Sequence, residues 1–548
     1  MLRLLRVDLT KNSVDLADVD FDELIGGKGV ATKLLFETPR GVDPLSPENA
    51  IIFGIGPLSG IRLSGSSRMT CVFKSPLTLG YGESQCGGFI AHEMKKSGID
   101  IVYIKGKAKK PVYLLIEDGK AEIKDAAHLW GKDCYQTEEI LRRDEGGEVL
   151  SIGPAGENLV RYACITHRRG RQFGRCGAGA VMGSKKLKAV VVKGSGDIFD
   201  SPELEKFREW LRENVLPKLE GMREFGTPVM LALTNRMGVL PTKYWSETSF
   251  AGWEKIDAEK IQKYVRRKSS CYACAVACGK IVEIDGLTVE GPEYETLFSF
   301  GPLCANDDLK TIVKANDLCD RLGLDTISTG NVVAFYMAHL DDFDSSKIPE
   351  LIEKIAYRKD EGNILAEGVY RAAKSLQSLV EPVHVRGLEP PGYDPRGLYG
   401  MALGYLTSQR GACHMRNCAY RPNLTGVVDR TSTRGQAEMV KDLDDFYCVV
   451  DSLVLCRFLC LPVIGMYWED ISKLIKIVTG REIEVSKLKE IGARIWKMTW
   501  EFNKREGCEA RFPRTFFKPV VHEDRTFQLK EEDFNEMVKK YFELRGIQ

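Results

Sequence analysis

The sequence lacks a long hydrophobic run and a leader-like segment. Its most apolar stretch, residues 449–468, is broken by two charged residues and a proline, which rules it out as a membrane-spanning helix of about 20 apolar residues. The first residues, MLRLLRVDLTKN, have no apolar core of the signal-peptide type. Blocks of like charge are also missing, and over the whole chain 78 Lys and Arg balance 77 Asp and Glu. We therefore predict a cytoplasmic protein without a membrane span, and we expect neither nucleic acid nor an anionic membrane as partner.

A disulfide framework and a nucleotide-binding fingerprint are missing as well. The 16 cysteines are scattered over 548 residues, a pattern that favours a reducing compartment and metal ligation over secretion. The glycine-rich residues 174–185 match neither the dinucleotide fingerprint nor the Walker pattern. Two interpretations stay open for this stretch. It forms tight turns, or it holds phosphate through free amides and an arginine at a helix start.

What is present divides into three regions. Residues 1–197 contain short β-rich runs and about half of the 52 glycines, which predicts a sheet domain whose backbone approaches a ligand closely. In residues 198–383 apolar side chains recur three and four apart, and Ser201 followed by Pro202 marks a helix start. After a Pro- and Gly-rich passage, residues 384–548 are again mainly helical. The predicted fold class is α+β, a β-rich cofactor-binding domain followed by two mainly α-helical domains.

Three cysteines in the second region form the most informative motif. Cys271, Cys274 and Cys278 are spaced C-x2-C-x3-C with small residues between them. Zinc takes four N or S donors, commonly as two pairs, whereas an iron–sulfur cube accepts three thiolates from one loop and a fourth from elsewhere. No second C-x-x-C follows in the sequence. A [4Fe-4S] cluster is therefore favoured, and a zinc site or three buried unliganded cysteines are the alternatives.

Two short segments in different regions resemble each other. The pattern D-x-x-x-L is followed by Asp in residues 320–325 and by Cys in residues 451–456. An aspartate at a helix end is usually a cap. The alternative interpretation is therefore that the two segments resemble each other by chance. The second copy ends in Cys456, which would supply the missing fourth thiolate.

Together these motifs resemble the tungsten-dependent aldehyde ferredoxin oxidoreductase family. The resemblance covers nearly the whole chain, in family order, and also includes SIGPAGENLV, GAGAVMGSKKLKA, GPEYET, and YDPRG before GACH. It implies a bis-pterin tungsten cofactor between the β-rich domain and the helical ones, with a [4Fe-4S] cluster close by. It also implies oxidation of an aldehyde to its carboxylic acid, with electrons passing to ferredoxin or a small iron–sulfur subunit.

The resemblance assigns residues to the binding sites. The cluster ligands would be Cys271, Cys274, Cys278 and Cys456. The residues that would contact the pterins, their phosphates and a bridging Mg2+ are Arg68, Gln85, Gly87, Arg175, Cys176, Gly177, Asp320, Leu324, Asp325, Asp451 and Leu455. Asp320 and Asp451 would accept hydrogen bonds from pterin amino groups, and Arg175 would face the phosphates, as charged partners of these kinds do elsewhere. An ordinary salt bridge is the alternative role for either aspartate.

The resemblance also points to three catalytic side chains. Glu295 and His414 match the family's catalytic glutamate and histidine, and Tyr393 lies in the YDPRG stretch. Aldehyde oxidation needs a base near the substrate carbon and a donor to its carbonyl oxygen. We expect Glu295 to be the base, His414 the donor and Tyr393 a second donor. Without the resemblance, a structural histidine and a solvated glutamate would be the simpler interpretation.

The sequence departs from the family pattern at a few positions. Val454 stands where glycine is frequent, and Gln85 stands where an asparagine helps to hold magnesium. Lys314 and Asp317 occupy the places of Glu and His ligands to an iron at a dimer axis in some members, so we expect no such metal; an oligomer remains open. Two alternative functions also remain open, namely reduction of an aromatic acyl-CoA thioester and an electron-transfer subunit without the pterin cofactor.

Overall fold

Two six-stranded sheets make up most of the first region. The computed structural model describes residues 1–547. The strands are β1 (Leu2–Asp8), β2 (Ser13–Val19), β3 (Ile51–Gly54), β4 (Met69–Lys74), β5 (Tyr81–Cys86), β6 (Ile101–Lys105), β7 (Val112–Glu117), β8 (Lys120–Asp125), β9 (Glu148–Ser151), β10 (Ile165–His167), β11 (Arg171–Phe173) and β12 (Leu187–Lys193). Their order is β2-β1-β6-β3-β4-β5 in one sheet and β11-β10-β9-β12-β7-β8 in the other.

Both sheets are mixed, and the β3–β4–β5 part of the first sheet is covered on both faces. Only β1 with β6 and β12 with β7 pair in parallel, and the other pairs are antiparallel. Every residue of β3, β4 and β5 is buried, which is typical of strands that carry other elements on both sides. The helices of this region are α1 (Gly27–Leu35), α2 (Ile90–Lys96), α3 (Cys134–Asp144), α4 (Pro154–Glu157) and α5 (Ala178–Ser184).

The rest of the chain is mainly helical, as predicted. Its helices are α6 (Pro202–Asn214), α7 (Glu220–Phe225), α8 (Val229–Arg236), α9 (Ala258–Gln262), α10 (Tyr294–Phe300), α11 (Leu309–Leu322), α12 (Thr326–Leu340), α13 (Ile348–Tyr357), α14 (Glu361–Leu365), α15 (Val369–Ser375), α16 (Tyr399–Thr407), α17 (Tyr420–Leu424), α18 (Gln436–Leu453), α19 (Trp468–Thr479), α20 (Val485–Arg505) and α21 (Glu531–Leu544). The expected start of α6 is confirmed, because the Ser201 hydroxyl accepts a hydrogen bond from the Leu204 amide.

A small sheet interrupts the second region and carries the cysteine triplet. It consists of β13 (Val265–Ser269), β14 (Gly279–Ile284) and β15 (Leu287–Glu290), and the three cysteines lie in the loop between β13 and β14. The turn between β14 and β15 is Asp285-Gly286, both with positive φ, which is the common two-residue hairpin turn. A second hairpin, β16 (Val520–His522) with β17 (Arg525–Phe527), lies near the C-terminus.

One hydrophobic core extends through all three regions, and a smaller cluster lies on the second sheet. Helix α18 occupies a central position, because it packs against α1 of the first region and against α20 and α21 of the third. The end of α18 is thus held where the regions meet. No helix within residues 1–547 is long and apolar enough to cross a membrane. The boundaries at 197 and 383 and the cytoplasmic location stay predictions.

Candidate active site

The four cysteines of the predicted cluster line one cavity of about 210 Å3. Three of them come from the β13–β14 loop, and Cys456 follows the end of α18. Arg68, Gln85 and Gly87 of the first region line the same cavity. Residues from all three parts of the chain therefore line this one cavity.

The four thiols at one cavity form a donor set that a metal centre can use. With Zn–S distances near 2.3 Å, the four sulfurs around one zinc ion lie within about 4 Å of each other. Within residues 1–547 no three His, Cys, Asp or Glu side chains are arranged to hold one metal ion. A cube of iron and sulfide takes one thiolate at each of four separate corners. The donor set fits the cube.

A backbone amide approaches one of the thiols closely. The Gly88 N–H donates to Sγ of Cys271 at 3.2 Å. A Cβ placed on Gly87 would lie 2.9 Å from that sulfur and 3.3 Å from Nη1 of Arg68, so only glycine fits between them. Hydrogen bonds of this kind stabilise a thiolate ligand and tune the potential of a cluster.

The two D-x-x-x-L segments share one local structure. The residue that caps the C-terminus of α11 is Gly323, with φ +79°, and the one that caps α18 is Val454, with φ +58°. In each case the amide of the next residue bonds back to the helix, from Leu324 to the carbonyl of Cys319 and from Leu455 to that of Val450. Glycine is favoured at such a left-handed C-cap, and a residue with a Cβ costs about 1–2 kcal/mol there. The second motif retains this shape without its glycine.

Asp451, in the last turn of α18, lies in a buried network of ions. Its carboxylate accepts hydrogen bonds from Arg457 at 2.5 and 2.6 Å, from Arg416 at 3.0 Å and from Gln85 at 3.0 Å. Nζ of Lys28 lies 3.6 Å away. Every one of these side chains is buried. Asp451, the predicted pterin ligand, is therefore held in place by cationic side chains of the protein itself.

Several guanidinium nitrogens in this network, and one beside it, have no acceptor. Within residues 1–547, Nε and Nη1 of Arg457, Nε of Arg416 and Nε of Arg68 are buried without a hydrogen-bond partner. A buried donor without an acceptor costs about 1–3 kcal/mol, and guanidinium groups bind phosphate and other oxyanions well. These residues fit an anionic organic cofactor.

We expect Asp451→Asn to destabilise the protein by about 3–5 kcal/mol, because it removes the anion from a buried ion pair and leaves Arg457 and Arg416 uncompensated. The measurement is the shift in thermal unfolding followed by circular dichroism. Asp342→Asn serves as control, since Asp342 and Lys347 form an exposed pair worth about 0–1 kcal/mol. Equal shifts in the two variants would contradict the importance of the buried network.

Asp320, the counterpart in α11, has a different environment. Its carboxylate accepts hydrogen bonds from the side-chain amides of Asn316, at 2.9 Å, and Gln172. Burial raises the pKa of Asp320 well above its usual value. Further along α11, Nε of Arg321 donates to the Asp317 carboxylate at 2.8 Å, and Lys314 is exposed. The expected lack of an iron at that position stays a prediction.

Arg175 and Asp325, both predicted to contact the cofactor, pair with each other. Nε of Arg175 lies 3.1 Å from the carboxylate, and Asp325 also caps α12 by accepting two amide hydrogen bonds. Nη2 of Arg175 donates to the carbonyl of Glu389 at 2.7 Å. Cys176 and Gly177 follow in the turn that starts α5, where Gly177 has φ +86°. These contacts hold the glycine-rich turn against the helical region.

The three predicted catalytic residues line a second cavity, of about 130 Å3. This cavity adjoins the first, and the residues that line both are Thr227, Glu293 and Phe458. The Tyr393 ring stacks on that of Tyr420 with centroids 4.3 Å apart, and its centroid lies 5.6 Å from that of His414. Glu295, Tyr393 and His414, which are far apart in the chain, are thus brought together.

Half-buried Glu295 and buried His414 form a pair whose pKa values shift in opposite directions. Oε2 of Glu295 accepts the Gly392 amide at 3.0 Å, and Oε1 faces Nε2 of His414 at 3.6 Å. Burial raises the pKa of Glu295 to about 8. Burial, together with nearby Arg175 and Arg410, lowers the pKa of His414 well below its usual value. Within residues 1–547, Oε1 of the glutamate and Nδ1 of the histidine are buried without a hydrogen-bond partner.

Sequence reasoning missed the charged groups that surround this pair. Sγ of Cys413 accepts from Nε and Nη2 of Arg410 at 3.3 and 3.0 Å. Burial disfavours the thiolate, yet Arg410, Arg416 and Arg175 together lower the pKa of Cys413 to about 7. The sequence analysis also did not single out Glu293, which lines both cavities. The sequence did contain a sign of these charges, because Arg410 and Arg416 lie on either side of GACH.

Four thiols around one cavity, with an acid–base pair in the next, are the features of a redox metalloenzyme. The comparison of sequences agrees with this class. The family model described as aldehyde ferredoxin oxidoreductase, N-terminal domain, matches residues 4–194, and the one described as domains 2 and 3 matches residues 204–548. The chain belongs to the aldehyde ferredoxin oxidoreductase family, and it is an oxidoreductase.

Individual relatives show how broad the similarity is. Tungsten-containing aldehyde ferredoxin oxidoreductases of Pyrococcus furiosus and Thermococcus kodakarensis are each 36% identical, over 99% of this chain and 96% of theirs. The WOR-like subunit of an aliphatic sulfonate oxidoreductase of Pyrococcus furiosus is 31% identical, over 90% of this chain and 84% of its own. Among solved structures, the active site complex BamBC of benzoyl coenzyme A reductase with 1,5-dienoyl-CoA has a TM-score of 0.84 at 25% identity, covering 100% of this chain and 94% of that one.

Proposed function

We propose that the protein oxidises a small aldehyde to its carboxylic acid with a tungsten bis-pterin cofactor and a [4Fe-4S] cluster. The electrons would leave to ferredoxin or to a small iron–sulfur subunit. The observation that carries the proposal is the Glu295–His414 pair, which lines a cavity that shares a wall with the four thiols. Within residues 1–547, Oε1 of the glutamate and Nδ1 of the histidine have no hydrogen-bond partner. The names of the 36% identical relatives support the same reaction.

The reaction converts an aldehyde and water into a carboxylic acid, two protons and two electrons. When bound, the tungsten–pterin group would supply a two-electron acceptor, and the cluster held by the four cysteines would supply one-electron transfer. Glu295, which lines the cavity, takes a proton as carboxylate. His414 is neutral because its pKa is lowered, so its one ring N–H donates to the aldehyde oxygen. A fixed donor at developing oxyanion charge is commonly worth about 3 kcal/mol.

The residues proposed to hold the cofactors follow from their chemistry. Asp320 and Asp451 would accept from the pterin amino groups, with Leu324 and Leu455 next to the two helix ends. Arg457, Arg416 and Arg68 offer the free guanidinium nitrogens that an anionic cofactor needs. Gln85, whose amide nitrogen already donates to Asp451, would offer its side-chain oxygen to Mg2+.

The size of the catalytic cavity bears on the substrate class. A buried cavity of about 150 Å3 accepts benzene, so about 130 Å3 suits a small aldehyde. Its apolar wall includes Leu219, Met222, Met230, Phe458 and Leu461, which limits the access of water. Reduction of an aromatic acyl-CoA thioester is the second candidate, on the strength of the BamBC likeness. The small cavity favours the aldehyde.

Metal analysis of anaerobically purified protein tests the proposal. We expect tungsten or molybdenum with two pterins each, together with magnesium and about four irons per chain as one cubane. The same preparation should reduce benzyl viologen with small aldehydes and leave benzoyl-CoA unreacted. Stoichiometric zinc with neither tungsten nor molybdenum would rule the proposal out.

A further inference from the structure

Four arginines line a third cavity beside the cysteine loop. This cavity has a volume of about 240 Å3. We call the four residues the arginine surface: Arg168, Arg169, Arg171 and Arg267. Glu290 is the one acidic residue among those that line the cavity. The whole chain has a net charge of only +1, so this concentration of positive charge is local.

Two of these arginines are neutralised within the protein and two are not. Arg168 pairs with Glu148, and Arg171 lies 2.5 Å from Glu290. Arg169 and Arg267 are exposed. Among the described residues, no ion pair within 4.0 Å involves either of them. Exposed guanidinium groups without a partner carry their full charge to solvent.

The arginine surface lies next to the predicted cluster ligands. Ser269 and Ser270, which immediately precede Cys271, line the same cavity. Gly88 lines it as well and donates its amide hydrogen to Sγ of Cys271. Arg171 lines both this cavity and the cavity of the thiols. The cysteine loop itself reaches solvent beside the arginines, since Ala273 and Ala275 are exposed.

We propose that the arginine surface docks a small acidic one-electron carrier protein next to the cysteine loop. The proposal rests on the proposed function. Charge complementarity steers encounter and fixes the orientation of partners. The carrier would gain one electron as the reduced cluster returns to its oxidised state, so two carriers would be reduced for each aldehyde oxidised. Both electrons of the reaction are then accounted for.

The arrangement fits a protein partner better than a small anion. A pocket for a small anion directs buried donors to one point, whereas Arg169 and Arg267 are exposed and come from separate elements, the β10–β11 turn and the strand β13. Phe89, which is half-buried, adds an aromatic ring to this surface. Arg168 lies 3.7 Å above the Phe89 ring, and Arg169 lies 5.1 Å above that of Tyr135. Arginine and aromatic side chains are enriched at protein interfaces.

Charge reversal at the two unpaired arginines tests the docking surface. We expect Arg169→Glu with Arg267→Glu to weaken binding of an oxidised acidic ferredoxin about 10-fold or more at low salt, given the effect of charge on encounter. Isothermal titration calorimetry measures the dissociation constant without any turnover. The matched control is Arg525→Glu, on the exposed strand β17 and outside both cavities.

A second readout separates docking from catalysis. Benzyl viologen is a small dication, so aldehyde-dependent viologen reduction should be unchanged or faster in the double variant, whereas reduction of the ferredoxin should fall. Unchanged ferredoxin affinity in the double variant, or an equal loss in Arg525→Glu, would overturn the docking surface. Failure of the wild-type protein to reduce viologen with any aldehyde would instead overturn the proposed function.

Discussion

Glu295→Gln should lose most aldehyde oxidation while it keeps tungsten, pterin and cluster. Glutamine has nearly the same shape and can still accept the Gly392 amide, the contact that holds Oε2 at 3.0 Å. It cannot take a proton at the atom that faces His414. Loss of a positioned acid–base group typically costs about 100- to 10,000-fold in rate. The measurement is benzyl viologen reduction by a panel of aldehydes, normalised to bound tungsten.

The pH profile provides an independent sign of the same role. Burial raises the pKa of Glu295 to about 8, so the carboxyl group is mainly protonated below that pH and ionised above it. If the carboxylate is the base, the rate should rise with pH through about 8 and then level off. The rise should disappear from the residual activity of Glu295→Gln.

Glu293→Gln is the matched control for this variant. Glu293 lies at the start of the same helix, lines the same cavity and accepts a hydrogen bond from Thr227, which glutamine can retain. We expect a far smaller loss of activity than in Glu295→Gln. Full activity per tungsten in Glu295→Gln, or equal losses in the two variants, would end the assignment of Glu295 as the base.

Cys456→Ala should abolish or bleach the iron–sulfur cluster. The three thiols of the β13–β14 loop leave one corner of a cube without a ligand, and Cys456 is the other cysteine that lines their cavity. We expect loss of the electron paramagnetic resonance signal of the reduced protein and an iron content well below that of the wild type. Electron transfer to ferredoxin should fail in consequence.

Cys508→Ala controls for the loss of a cysteine as such. Cys508 is half-buried, as is Cys456, but it lies outside the thiol cavity and its Sγ contacts the carbonyl of Thr78. Its resonance signal and iron content should match those of the wild type. An unchanged cluster signal in Cys456→Ala would mean that the fourth ligand is elsewhere.

Features that depend on neighbours in the chain were predictable. The cap at Ser201 forms the hydrogen bond that its position before Pro202 predicts, because capping is decided within one helical turn. The small sheet around the cysteine triplet was missed, although Asp285-Gly286 is a hairpin signal. Its strands are only four to six residues long, too short to stand out against the helical periodicity on either side.

The sequence by itself determined the fold class, through its alternating and helical patterns, and the family, through motifs that resemble those of known members. Both kinds of signal are properties of short stretches. Only the tertiary structure decided which distant groups meet. Arg457 and Arg416 surround Asp451, and His414 comes within 3.6 Å of Glu295, because α18 and the loops beside it pack between the sheet domain and the other helices. The pKa of Glu295 follows from that burial, and burial is a property of the packed molecule rather than of any segment of the chain.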